Sequence, residues 1–69
     1  MRYAIIIEKA LSNYSAYCPD LPGCVATGNT MEEIKKEMAD AISFHLEGLR
    51  EENLPIPLPL SVTDYIEAS

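Results

Sequence analysis

The chain has 69 residues, 48% of them hydrophobic, and five Lys and Arg stand against eleven Asp and Glu for a formal net charge of −6. A chain this short is a single domain over residues 1–69 that buries only about 60% of the surface its unfolded form exposes, so an oligomer or a partner is expected to add to its stability. Its acidic surface argues against direct DNA or RNA binding, because like charge repels phosphate backbones, and suits a basic protein partner whose approach charge attraction speeds.

In chain order, Arg2 to Lys9 reads as a strand rich in β-branched and aromatic residues. Tyr3, Ile5 and Ile7 share one face, and Ala4, Ile6 and Glu8 share the other. Ser12-Asn13 gives a turn signal, and Tyr14 to Cys18 returns as the second strand of a hairpin. Two prolines and a glycine in Pro19-Asp20-Leu21-Pro22-Gly23 then impose a rigid turn. Cys24 to Thr27 follows as a third short strand, ended by Gly28-Asn29.

Thr30 and Glu33 form a capping box, with acids at positions 32 and 33 against the positive end of the helix dipole. From Met31 to about Glu52 the apolar residues Met31, Ile34, Met38, Ala41, Ile42, His45 and Leu49 fall on one helical face, opposite Glu32, Lys36, Asp40, Ser43, Glu47 and Arg50. Pro55, Pro57 and Pro59 alternate with apolar residues and cannot continue a helix. Leu60 to Glu67 alternates again and reads as a fourth strand. The expected fold is α+β in the order β-β-β-α-β, an antiparallel sheet with one helix on one face.

No run reaches the ~20 apolar residues that cross a bilayer, and the apolar stretch before Glu8 is too short for a signal peptide. The expectation is a cytoplasmic protein without membrane contact. Cys18 and Cys24 lack a metal-ligand spacing and read as reduced, half-buried strand residues. His45, near the centre of the apolar helix face, reads as a largely buried, neutral, hydrogen-bonded imidazole. No nucleophile or water site is supplied beside it, so no catalytic residue, metal or cofactor is assigned. Glu33–Glu37 and Glu47–Glu51 are like-charge pairs one turn apart, mildly destabilising alone and suited to a basic counterpart.

Taken in register, Tyr17-x-Pro19-Asp20-Leu21-Pro22-Gly23-Cys24, Gly28-Asn29-Thr30-x-Glu32-Glu33, Phe44-His45-Leu46-Glu47-Gly48-Leu49 and Ile56-Pro57-x-Pro59 resemble the HicB-like antitoxins over essentially the whole chain. That resemblance implies a partly formed RNase H-like sheet with one helix. It implies a non-enzymatic antidote to HicA, a small basic endoribonuclease whose catalytic histidine and RNA surface it would cover, and assembly into dimers or tetramers. Many such antitoxins continue into an operator-binding segment, whereas only ten residues follow Pro59, so no direct operator binding is expected. The residues singled out for partner contact are Asp20 and Leu21 on the proline turn with Glu47 and Glu51 on the helix; for Asp20 and Leu21 holding the sheet is expected to be the larger role. The competing reading is a stand-alone homo-oligomeric scaffold or regulator without a toxin partner. A metal-dependent nuclease is set aside because Glu8, Asp64 and Glu67 are too few and too scattered to gather Mg²⁺.

Overall fold

The computed structural model describes residues 1–69 as three strands and one helix: β1 (Ile6–Lys9), β2 (Tyr14–Tyr17), β3 (Val25–Gly28) and α1 (Met31–Glu51). The strands form one antiparallel sheet in the order β1-β2-β3. Ile7, Ala16 and Ala26 lie opposite one another in register, as do Ile6, Tyr17 and Val25 one position along. Because side chains alternate along a strand, the first row faces the helix and the second faces away. The expected split of the first strand holds, since Tyr3, Ile5 and Ile7 all pack on the core.

The core is six residues: Ala16, Cys18, Leu21, Cys24, Ile34 and Met38. Gly28 lets the helix sit close to β3. A Cβ built there would lie 2.8 Å from the Ile34 amide nitrogen and 3.0 Å from its Cα, closer than side chains tolerate. Thr30 caps α1 as expected, its Oγ1 accepting the Glu33 N–H at 3.0 Å. At the other end Asn53 takes a left-handed conformation (φ 57°). Leu54 N–H then reaches the Leu49 carbonyl at 2.9 Å and Asn53 N–H the Arg50 carbonyl at 3.1 Å. This is a Schellman stop with asparagine in the usual glycine place, set just ahead of the prolines.

Several boundaries differ from the sequence reading, the second strand among them, which ends at Tyr17 and not at Cys18. Arg2 to Ile5 continue the line of β1 but lie outside the sheet, because β2 ends opposite Ile6 and the chain turns beyond it. The third strand runs one residue later, over Val25–Gly28. The fourth strand is not formed, so the order is β-β-β-α, and of the RNase H-like arrangement only three antiparallel strands and one helix are present. The prolines carry the segment past Arg2–Ile5, where no sheet edge exists to receive it. Tyr3 donates its hydroxyl to the Pro57 carbonyl at 2.6 Å, while Leu60, Val62, Tyr65 and Ile66 stay exposed.

Candidate protein-binding surface

The proline turn consists of two successive β-turns. Leu21 N–H donates to the Cys18 carbonyl at 3.1 Å and Cys24 N–H to the Leu21 carbonyl at 3.0 Å, and Cys18 N–H closes the base on the Cys24 carbonyl at 3.1 Å. Pro19 and Pro22 each occupy the second position of a turn, where a fixed φ is pre-set. Gly23 at the third position of the second turn has φ 83°, the left-handed value a type II turn demands.

This construction decides what Asp20 and Leu21 do. Leu21 is wholly buried in the core, where it supports the turn, the role expected to be the larger one for it. Asp20, half-buried, accepts from the Ser61 N–H at 2.9 Å through Oδ2 and from the Ser61 hydroxyl at 2.9 Å through Oδ1. The carboxylate therefore pins the segment after the helix to the turn. Cys18 and Cys24 are free thiols and more buried than expected. Burial, and secondarily the neighbouring Cys18, pushes the Cys24 thiol above its ordinary range.

Glu47 and Glu51 are exposed one turn apart on the second half of α1. Next to this stretch a groove of about 440 Å³ opens between the proline turn, β3 and the helix. Gly23, Cys24 and Val25 line one side, and Ala41, Phe44, His45, Gly48, Leu49 and Glu52 line the other. Phe44 is 71% exposed and Val25 64% exposed. His45 is not the buried imidazole expected; it stands half-exposed in the groove wall, because the sheet ends before reaching this part of the helix. Phe44 was missed by the sequence reading as a surface feature. Its signal was present: at 100° per residue it lies off the apolar stripe, where an aromatic side chain has no place in the chain's own core.

No three His, Cys, Asp or Glu side chains come together as metal ligands would. No helix is long and apolar enough to cross a membrane. What the surface offers is a largely apolar recess with Glu52 in its wall and exposed Phe44 along its side.

Comparison with known proteins supplies the family. Residues 3–69 match the family described as HicB_like antitoxin of bacterial toxin-antitoxin system. The chain is 39% identical over 66 residues to a 14.9 kDa protein of the rep-hol intergenic region of Haemophilus phage HP1, covering 96% of this chain and 50% of that protein. It is 39% identical over 56 residues to a UPF0150 protein of Synechocystis sp., covering 80% of this chain and 71% of that one. A solved structure described as "HicA3 and HicB3 toxin-antitoxin complex" contains a similar chain, with TM-score 0.75 and 37% identity over 87% of this chain and 70% of that one. The chain thus spans half the length of its phage relative.

Proposed function

Because this chain belongs to the HicB-like antitoxin family, we propose that it binds and neutralises a small basic HicA-type endoribonuclease, acting as a non-enzymatic antitoxin. The observation that carries the reading is the recess beside Phe44, with Glu52 in its wall, on a helix end that also exposes Glu47 and Glu51. A toxin that grips RNA carries cations positioned for phosphates, and a row of carboxylates is the protein surface closest to that charge pattern. Phe44 would enter an apolar pocket of the toxin as the anchor, and the acids would steer the encounter. Occupying the RNA-binding and catalytic surface then denies it to RNA. The similarity to a chain of a HicA3–HicB3 complex supports the partner class. Asp20 acts here by holding the turn that forms one wall of the groove.

The test is co-expression with a small basic HicA-type toxin. Growth should be rescued and the two proteins should purify together. Glu47→Lys with Glu51→Lys should slow association and remove most of its salt dependence, whereas Phe44→Ser should speed dissociation. Failure of rescue together with failure of co-purification would overturn the reading.

A further inference from the structure

Cys18 and Cys24 stand directly across from each other at the base of the proline turn. Tyr17 lies opposite Val25 in the β2–β3 register, and one step further the same line sets Cys18 against Cys24. The Cys18 N–H bond to the Cys24 carbonyl, at 3.1 Å, holds that alignment. Alternation puts both side chains on the helix-facing side, in line with Ala16 and Ala26. Both are core residues, at 2% and 3% exposure, and both thiols are free.

This placement suits one reaction. A hydrogen-bonded antiparallel pair holds its Cα atoms about 5.5 Å apart, inside the range of about 4.4–6.8 Å that a disulfide accepts. Its Cβ atoms, near the upper end of about 4.5–5.5 Å, are wider than the ~3.8 Å of a relaxed disulfide. The turn leaves room to close that difference, because the pair keeps only one of its two cross-strand bonds. The Cys24 N–H goes to the Leu21 carbonyl, and the Cys18 carbonyl accepts from the Leu21 N–H. Residual strain then leaves the bond easy to reduce again. Access is unequal: Cys24 lines the groove of about 440 Å³ beside the turn, and Cys18 does not. An oxidant of a few atoms therefore meets Cys24 first.

We propose that Cys18 and Cys24 are a reversible redox pair, joined by hydrogen peroxide into a disulfide that clasps the base of the proline turn. The Cys24 thiolate attacks one peroxide oxygen and the O–O bond breaks. The departing hydroxide takes up the thiol's proton as water, and Cys24 is left as a sulfenic acid. The Cys18 sulfur then attacks the Cys24 sulfur and displaces its hydroxyl, which leaves with the Cys18 proton as a second water. Two thiols are oxidised to one disulfide and one peroxide is reduced to two waters. A dithiol reverses the bond by exchange. Burial holds the Cys24 thiol above its ordinary range, so the first step is slow and the pair answers sustained peroxide. The closed ring contains Asp20, so the clasp stiffens one wall of the groove and the anchor of the Asp20–Ser61 latch together.

The full folded chain, treated with hydrogen peroxide and read by peptide mapping, should show Cys18 and Cys24 joined within one molecule. Dithiothreitol should restore both thiols. C18A should stop at a sulfenic acid on Cys24 that dimedone traps, whereas C24A should leave Cys18 unmodified, with circular dichroism checking the fold of each. Thiols that stay free, oxygen adducts on Cys24 without a cross-link, or a disulfide between molecules would each overturn the proposal. So would a cross-link formed only in denaturant, or equal modification of the two variants. The native chain alone gives the decisive cross-link, so poor folding of a variant does not rescue the proposal. No toxin enters these measurements, which keeps their outcome separate from that of the toxin-binding reading.

Discussion

The two halves of α1 live in different surroundings. The first half is fastened to the sheet: Ile34 and Met38 are wholly buried, Thr30 caps the start, and Gly28 admits the helix backbone against β3. The second half carries exposed Phe44 and half-exposed His45 and Leu49 along an open groove. The cause is dimensional. A helix of 21 residues is about 31 Å long, whereas strands of 4 residues span about 13 Å. The helix overhangs its sheet, consistent with principal extents of 45 × 26 × 16 Å. The fastened half serves the fold, and the overhang presents a surface.

Leu21→Ala should break the fastened half most severely. It empties the centre of a six-residue core, and denaturant unfolding should show a loss of about 2–5 kcal/mol. Gly28→Ala forces the helix off β3, and the same measurement should show about 1–3 kcal/mol. Thr30→Ala removes the cap and should cost about 1 kcal/mol, with fraying of the first turn visible in amide exchange. A smaller effect comes from the raised Cys24 thiol. The unfolded chain ionises this group first, so its contribution is complete below the ordinary value of 9.0 and declines as pH rises beyond it. The thermal midpoint of the native chain relative to Cys24→Ala should therefore fall in alkaline buffer. The smallest stability effect should come from the overhang: Phe44→Ser should change unfolding by no more than about 0.5 kcal/mol while weakening toxin binding. A large stability loss there would show that the second half is part of the core.

Local chemistry explains what was legible in the sequence. The three strands, the capped helix, the Tyr3-Ile5-Ile7 face and the proline turn all rest on nearest-neighbour patterns, and the structure contains them. The resemblance drawn from four blocks of motif is matched by the family over residues 3–69. The errors lie where a distant element decides. Leu60 to Glu67 alternates as a strand does, but alternation cannot say whether an edge is within reach. His45 sits on the apolar face, yet the sheet ends short of it. Asn53 carried the helix stop in plain sight and was passed over for the prolines beyond it.

The Asp20–Ser61 latch has a consequence for the order of folding events. β1, β2, β3 and α1 each pack on the element next to them in the chain, so the main body closes through short loops and should form quickly. The carboxylate of Asp20 then joins residues 41 apart, a closure that gains nothing until the turn beneath it is rigid. The strap after the helix is thus the last part to settle and the first to open. Its release leaves the compact body standing, which gives the chain a motion much cheaper than unfolding.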